Sequence, residues 1–258
     1  MIVYGTRDIT PEVATAPVVD LLGTDSLQLD GGQILQVLSE LTFSGFETRL
    51  PPALHPSHPP YAVLVWYRLP ASPFGPFTMA QVRVSSMAGI SRFSYPVGGW
   101  IDNPDAAAEL ARRWGYRLEP AEVALHRRHD RVWGTVVADG TAVLEAGMTD
   151  PQPVSGKDAN YNGHLNLARV ERDGQLVATL VQTGPQLAFQ SCDRGRPQVT
   201  VFSDSIGCDR PYWPVSAFSG TCAFLFTPVT FVCDPNVPAV DVGLTLMGAL
   251  HAVEPAPH

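Results

Sequence analysis

One helix is marked by clear local signals in the segment of residues 100–119, which reads WIDNPDAAAELARRWGYRLE. Asn103 can cap the amino end, and Pro104 suits the first helical position. The residues that follow are mostly strong helix formers. Gly115 can end the helix in a left-handed conformation. The sequence therefore predicts a helix that begins after Asn103 and ends at Gly115.

Outside this helix, 24 prolines and 22 glycines divide the chain into short segments. Several segments alternate β-branched and aromatic residues with others, as strands do. These segments are Ile34–Leu41, Tyr61–Leu69, Phe77–Ser85, Val132–Ala138, Thr141–Ala146, His164–Val170, Gln175–Val181, Gln198–Phe202 and Thr221–Cys233. Asp139-Gly140 and Asp173-Gly174 are typical hairpin turns. Many strands joined by hairpins predict a mostly antiparallel sheet, in a barrel or a sandwich.

The composition excludes several classes of function. Of the 258 residues, 45% are apolar and 16% are charged, which is enough for a sizeable core. No internal boundary is visible, so we expect one domain over residues 1–258, with a frayed tail at Glu254–His258. The net charge of −8 and the scattered arginines argue against nucleic acid as a partner. No apolar run is long enough to span a bilayer and no secretory signal is visible, so we expect a cytoplasmic protein.

The four cysteines, Cys192, Cys208, Cys222 and Cys233, show no Cys-x-x-Cys pair and no histidine at zinc-ligand spacing. We expect buried, reduced thiols in a cytoplasmic protein. His126 and His129 lie in a charged stretch without a third ligand at useful spacing. The sequence therefore predicts neither a metal site nor a cofactor.

The helical segment and its flanks resemble the acetoacetate decarboxylase family. In that family an aromatic-x-Asp-Asn segment leads through a short helix to Gly-aromatic-Pro-Lys-Lys; here Trp100–Asn103 precedes the helix and Trp114–Tyr116 follows it. Further matches lie at Pro51–Leu54 and Gly75–Thr78 upstream, and at Trp133–Thr135, Tyr161–Ala168 and Pro214–Asp234 downstream, so that residues 30–235 are covered. The resemblance implies an α+β, mostly β fold: a closed, cone-like antiparallel β-barrel with peripheral helices, assembled as a homo-oligomer.

The chemistry of the family runs through its two lysines, of which the first forms a Schiff base with a β-keto acid and the second lowers the pKa of the first amine. The matching positions here are Arg117, Leu118 and Glu119. The only lysine in the chain is Lys157, and arginine cannot form a Schiff base. Decarboxylation by the route of the family is therefore not expected.

The family also places two glutamates in its pocket, and the best matches here are Leu64 and Met79. Met79, Gln81 and Arg83 share one face of their strand, and Leu64 and Trp66 share one face of theirs. We expect these side chains to line a large, mainly apolar interior that suits a bulky oxygenated small molecule. The alternatives are a solvated rim residue or a structural ion pair for Arg83, and plain core packing for Leu64 and Met79.

Glu119 and Arg83 are the candidate catalytic residues. A carboxyl group in an apolar pocket has a raised pKa and can act as a general acid or base near neutral pH. Arg117 would oppose that rise. The alternative is that Glu119 is a surface residue that follows the helix and is bounded by Pro120.

Four further residues are expected to bind substrate. Tyr116 and Leu118 belong to the segment that matches the lysine pair, and Tyr161 and His164 lie where the family has the mouth of its active site. For Tyr161 and His164 the alternative is a structural role. Lys157 lies in the preceding loop, where it is either an exposed lysine beside Asp158 or a relocated catalytic amine.

Three functions follow from this reading. The first is an enzyme of secondary metabolism that binds a polyketide-like or other oxygenated molecule and promotes its cyclisation, dehydration or isomerisation without covalent catalysis. The second is a non-catalytic carrier or resistance protein for a small apolar molecule. The third is a Schiff-base enzyme that uses Lys157. Fold alone does not decide among them.

Overall fold

The computed structural model describes residues 2–20, 24–42, 44–159, 161, 163–209, 211, 213–229 and 232–239. Phe231, which falls in a predicted strand, and the predicted tail Glu254–His258 lie outside these residues. The described part of the chain contains two α-helices, α1 (Thr10–Thr15) and α2 (Pro104–Trp114).

Helix α2 confirms the helix predicted from local signals. The Asn103 side-chain oxygen accepts hydrogen bonds from the backbone N–H groups of Asp105 and Ala106, at 2.9 and 3.1 Å. Gly115 ends the helix at φ 67°, in the left-handed region. An N-terminal cap of this kind stabilises a helix by about 1 kcal/mol, because it satisfies backbone donors that would otherwise be unpaired.

The rest of the described chain is mostly strand, with three short 3₁₀ helices at Phe46–Arg49, Gly156–Asp158 and Asp204–Ile206. The strands are β1 (Leu27–Glu40), β2 (His55–Pro56), β3 (Tyr61–Leu69), β4 (Phe77–Ala88), β5 (Ser91–Ile101), β6 (Glu119–Pro120), β7 (Glu122–Arg127), β8 (Arg131–Ala138), β9 (Thr141–Pro153), β10 (His164–Arg172), β11 (Gln175–Thr183), β12 (Gln186–Phe202), β13 (Trp213–Phe226) and β14 (Val232–Cys233). Both predicted hairpin turns are present, and Asp139, Gly140, Asp173 and Gly174 all have positive φ.

All of these strands belong to one sheet in the order β14-β11-β10-β5-β4-β3-β1-β13-β12-β9-β8-β7, with β2 beside β4 and β6 beside β5. The pairs β10/β5 and β5/β6 are parallel and the others are antiparallel. Among the described residues no pairing joins β14 to β7. The fold is thus mostly β with few helices, as predicted, but the sheet is not shown to close into a barrel.

The pairing register of β3 and β4 decides which side chains meet. Tyr67 lies opposite Met79 and Val65 lies opposite Gln81. Directly opposite residues in an antiparallel pair point to the same face of the sheet, and neighbours along a strand point to opposite faces. The even-numbered positions of β3 therefore point away from Met79.

Leu64 and Trp66 consequently lie on the face opposite to that of Met79, Gln81 and Arg83, and the expectation that all of them line one chamber is wrong. Trp66 packs against Gly134, where an added Cβ would come within 2.3 Å of the indole ring. Its ring N–H donates to the backbone oxygen of Thr135 at 3.4 Å. Leu64 and Trp66 are therefore core residues on the face of the sheet opposite to Met79.

The face that carries Met79 is covered by α2. Trp114, at the end of that helix, is buried in the same hydrophobic core as Met79. Its indole N–H donates a hydrogen bond to the backbone oxygen of Thr227 at 2.9 Å. The Trp114 ring lies 5.0 Å from that of Phe226 on β13. This packing fixes the end of α2. The segment 115–119 that follows lies against Gly99 of β5 and against Gln81 of β4, the strand that also carries Arg83.

The described cysteines are all free thiols; Cys192, Cys208 and Cys222 are buried, as expected, and Cys233 is half-buried. Burial raises the pKa of the Cys208, Cys222 and Cys233 thiols to about 12 in each case. They are therefore protonated and unreactive at neutral pH. None of the helices in the described ranges has the length and hydropathy to cross a membrane.

Candidate functional site

Arg83 lies at the centre of a buried group of polar side chains. It is 0% exposed, although arginine stays protonated at any working pH. Its Nε and Nη2 donate to the side-chain oxygen of Gln81 at 3.0 and 2.6 Å, and Nη2 also donates to the Tyr67 hydroxyl at 3.0 Å. Nη1 and the Gln81 Nε2 have no hydrogen-bond partner.

No carboxylate among the described residues forms an ion pair with Arg83. A buried charge without a counter-charge costs several kcal/mol, so buried cations are normally paired. Neither predicted alternative for Arg83 therefore holds within the described part of the chain: the side chain is fully buried rather than solvated, and it has no ion-pair partner there. The guanidinium has one donor nitrogen left over and its positive charge uncompensated.

Two tyrosines extend this group toward the surface. The hydroxyl oxygens of Tyr67 and Tyr161 are 2.6 Å apart. The Arg83 Cζ lies 5.7 Å from the centroid of the Tyr67 ring and 6.0 Å from that of Tyr161. Burial raises the pKa of Tyr67 well above its ordinary value, an effect that the charge of Arg83 only partly offsets. Tyr67 therefore keeps its proton at neutral pH.

His164 and Tyr116 form the other side of the group. His164 is 0% exposed, and neither ring nitrogen has a partner. Burial, and secondarily the charge of Arg83, lower the pKa of His164 well below its ordinary value, so the imidazole is neutral. The Tyr116 ring meets the His164 ring edge-on, with centroids 5.3 Å apart.

Thr183 on β11 lies directly opposite His164 in the β10/β11 pairing. Burial raises the pKa of the Tyr116 phenol, and Thr183 is close enough to influence it. Neither the Thr183 hydroxyl nor the Tyr116 hydroxyl has a hydrogen-bond partner. Unpartnered buried polar atoms are rare in folded proteins, and several of them occur together here. We call this group the Arg83 cluster: Tyr67, Gln81, Arg83, Tyr116, Tyr161, His164 and Thr183.

Leu118, which is predicted from the sequence to match the Schiff-base lysine of the family, lies beside this cluster. A Cβ added to Gly99 would come 2.9 Å from the Leu118 Cδ2 and 3.5 Å from the Gln81 Cγ. Leu118 is half-buried and packs against the same core as Met79. The position at which the sequence predicts the loss of the amine thus carries an apolar side chain next to the cluster.

The structure does not place Glu119 in the Arg83 cluster. Its side chain is exposed, and its backbone pairs with Trp100 across β5 and β6. Successive side chains of an extended segment point in opposite directions, so Glu119 turns outward where Leu118 turns inward. The predicted catalytic carboxyl group is therefore not available to a buried ligand.

An open pocket of about 410 Å³ lies outside the cluster. We call it the outer pocket; Tyr161, Thr183, Gly184 and the exposed Lys157 are among its lining residues. A Cβ added to Gly184 would lie 3.2 Å from the Tyr161 hydroxyl and 3.3 Å from the His164 Nδ1. The outer pocket therefore leads to two polar groups of the cluster.

Of the residues predicted to form the site, the structure brings together Gln81, Arg83, Tyr116, Tyr161 and His164, with Leu118 and Met79 beside them. Sequence reasoning missed two members, Tyr67 and Thr183. Tyr67 is next to the predicted Trp66 in β3, and only the pairing register shows which of the two faces the site. Thr183 is detectable only through its position opposite His164.

No group of three or more potential metal-ligating side chains occurs among the described residues. The cluster itself offers guanidinium, amide, phenol, hydroxyl and imidazole groups. It can therefore hold an anionic oxygen and exchange a proton with a bound molecule.

A family model with the description acetoacetate decarboxylase (ADC) matches residues 26–202, which is more than half of the chain. The chain belongs to the acetoacetate decarboxylase family. Among curated proteins, no sequence matches.

Solved structures of family members show the same fold at low identity. Acetoacetate decarboxylase from Legionella pneumophila is 16% identical, with a TM-score of 0.69 over 81% of this chain and 87% of that one. An acetoacetate decarboxylase-like enzyme from Sphingomonas wittichii is 14% identical, with a TM-score of 0.68 over 83% of this chain and 95% of that one.

A third structure is the enduracididine biosynthesis enzyme MppR, complexed with the condensation product of pyruvate and imidazole 4-carboxaldehyde. It is 14% identical, with a TM-score of 0.67 over 83% of this chain and 92% of that one. Another structure of MppR is a complex with pyruvate. At these identities the similarity establishes the fold of this acetoacetate decarboxylase family member.

Proposed function

We propose that this member of the acetoacetate decarboxylase family is an enzyme that binds an oxygenated small molecule through an anionic oxygen at Arg83. It promotes cyclisation, dehydration or isomerisation by proton transfer, without a Schiff base. The observation that carries this proposal is the fully buried guanidinium with an unpartnered Nη1 and no described carboxylate beside it. A carboxylate or enolate oxygen supplies the missing negative charge.

The geometry around Arg83 favours a carboxylate. The Gln81 side-chain oxygen holds Nε and Nη2, which fixes the plane of the guanidinium. The two unpartnered groups, Nη1 of Arg83 and Nε2 of Gln81, are both obligatory donors. Charge-assisted hydrogen bonds from such donors to a carboxylate are roughly twice as strong as neutral ones.

Proton transfer falls to His164 rather than to Glu119. A neutral imidazole can accept a proton from a carbon next to a carbonyl group and return it elsewhere on the same molecule. The enolate that forms in between carries its charge on oxygen, where hydrogen bonds from Arg83 and the phenols stabilise it. The outer pocket has room for the rest of a bulky substrate.

A proton-exchange experiment tests this proposal, with pyruvate as the probe because one relative is complexed with it. In deuterium oxide, proton NMR follows the replacement of the methyl protons of pyruvate. We expect the protein to accelerate this exchange. His164→Gln and Arg83→Gln should each reduce the exchange rate by at least about tenfold, which corresponds to the free energy of about one charge-assisted hydrogen bond. Arg68→Gln, an exposed arginine on β3, is the matched control and keeps the parent rate.

The same experiment separates the alternatives. Binding of pyruvate without exchange identifies a carrier. Exchange that disappears in Lys157→Arg, together with a borohydride-trapped adduct on Lys157, identifies a Schiff-base enzyme. Lys157 lines the outer pocket with Tyr161, but its side chain is exposed, so the desolvation that activates catalytic lysines is missing. We expect Lys157→Arg to keep the parent exchange rate.

We also infer that the chain forms a homo-oligomer. Trp213 and Val215 on β13 are 62% and 43% exposed, and large apolar side chains grouped at a surface favour association. Size-exclusion chromatography with light scattering measures the mass directly. A monomer at micromolar concentration would contradict this inference.

A further inference from the structure

A second cavity, of about 130 Å³, lies on the same face of the sheet as Arg83 but away from the outer pocket. The strand pairing places Arg83 of β4 opposite Val63 of β3, which in turn lies opposite Leu38 of β1. Leu38 lies opposite Ser216 of β13, so the four side chains form one row on this face. Val63, Leu38 and Ser216 line the cavity. It shares no lining residue with the outer pocket or with the Arg83 cluster.

The charged groups that line this cavity are cationic. Arg92 from β5 and Arg194 from β12 contribute guanidinium groups, and no aspartate or glutamate is among the lining residues. Arg194 Nη2 donates to the backbone oxygen of Asp158 at 3.0 Å, which leaves its charge uncompensated. Neither arginine forms an ion pair with a carboxylate in the described ranges. Two like charges at one concave site attract an anion.

The remaining walls are partly hydroxylated and partly apolar. Ser86, a lining residue, is 0% exposed and its hydroxyl has no hydrogen-bond partner. Phe93 and Phe218 line the cavity together with Val63. An apolar protein cavity of about 150 Å³ is large enough to bind benzene. At about 130 Å³ this cavity is slightly smaller, so it suits one six-membered ring whose charged group lies at the mouth, toward the exposed Arg92 and Arg194.

We propose that this cavity is a second binding site, for a small carboxylic acid whose body is an aromatic ring or a branched apolar group. The carboxylate lies between Arg92 and Arg194, and the ring packs against Phe218 and Val63. This site is independent of the one at Arg83. A ligand bound here leaves the Arg83 cluster and the outer pocket free.

Calorimetric titration with benzoate tests the proposal, with benzyl alcohol as the uncharged probe of similar size. We expect benzoate to bind at millimolar concentration and benzyl alcohol to bind at least tenfold more weakly. Arg92→Gln and Arg194→Gln should each weaken benzoate at least tenfold, because each removes one charge-assisted contact of about 1.5–3 kcal/mol. Both arginines are exposed, so these substitutions leave the core intact.

Two further variants locate the ligand. Ser216→Leu fills the cavity from β13 and should abolish benzoate binding in the cavity, which Arg83→Gln should leave in place. Benzoate that binds at Arg83 should remain in Ser216→Leu and be lost only in Arg83→Gln. Arg172→Gln, at the exposed end of β10, is the matched charge control. The proposal is overturned if benzoate does not bind, if it binds equally to Ser216→Leu and to both arginine variants, or if only Arg83→Gln abolishes binding.

Discussion

The buried, neutral His164 makes a quantitative prediction about stability and pH. In the unfolded chain a histidine titrates near pH 6.5. In the folded protein, burial and the charge of Arg83 hold the pKa of His164 well below that value. Between the two pKa values the unfolded state binds one proton more than the folded state. The free energy of unfolding must therefore fall as the pH is lowered through 6.5.

One proton corresponds to about 1.36 kcal/mol per pH unit. Below pH 6.5, and as long as the pH stays above the lowered pKa of the folded state, His164 should therefore cost up to about 1.36 kcal/mol of stability per pH unit. His164→Asn removes the titrating group and should flatten the pH dependence by that amount, whatever it does to the stability at pH 8. Urea unfolding, followed by tryptophan fluorescence across this range, measures the difference.

His129→Asn is the matched control, because that histidine is exposed on the loop between β7 and β8. It should leave the pH dependence of the parent protein unchanged. The reasoning is refuted if His164→Asn shows the same loss of stability toward low pH as the parent, since His164 would then not be buried as a neutral base.

Three further predictions concern the site and the opposite face. Leu118→Lys restores an amine beside the Arg83 cluster, so borohydride reduction with pyruvate should yield a covalent adduct at position 118 by mass spectrometry; an unmodified variant would contradict the placement of Leu118. Gly184→Ala places a Cβ 3.2 Å from the Tyr161 hydroxyl, on a backbone with φ 121°. It should weaken the affinity for pyruvate, measured by calorimetry, at least tenfold; unchanged affinity would refute the route from the outer pocket. Gly134→Ala forces a Cβ against Trp66. It should lower the free energy of unfolding, measured with urea, by about 1–3 kcal/mol and leave the affinity for pyruvate unchanged. Lost affinity would place Trp66 in the site.

Local signals were sufficient for helix α2 and for the hairpin turns. Asn103, Pro104 and Gly115 each act on their immediate neighbours, so their effect can be read from the sequence alone. Family resemblance predicted the mostly β fold, which is confirmed. It also predicted that Leu118 replaces the catalytic amine, which stays a prediction. These two sources also located the segment that carries Arg83.

The face of each strand could not be predicted in the same way. β3 and β4 are buried on both faces, so apolar side chains occur at odd and even positions alike and no alternation shows which side meets the site. The sequence analysis matched Leu64 to a pocket glutamate and inferred Trp66 from the face that it shares with Leu64. Only the register with Met79 and its neighbours shows that Tyr67 and Val65 face the site instead.

Strand β5 escaped prediction for a different reason. Its sequence contains Pro96, Gly98 and Gly99, which normally interrupt strands. Gly99 is required because a Cβ there would lie 2.8 Å from the Arg117 backbone oxygen and 2.9 Å from Leu118. The glycine thus serves the close approach of the segment 115–119, a tertiary contact that the sequence of β5 does not reveal.

The central claim is that the uncompensated charge of Arg83 holds the anionic group of the ligand. Calorimetric titration of the parent protein and of Arg83→Gln with pyruvate and with its uncharged methyl ester measures this most directly. The parent should prefer pyruvate to the ester by at least about tenfold, and Arg83→Gln should bind the two alike, because the substitution removes a charge-assisted hydrogen bond. Equal affinity of the parent for both compounds, or a preference that persists in Arg83→Gln, would contradict the claim.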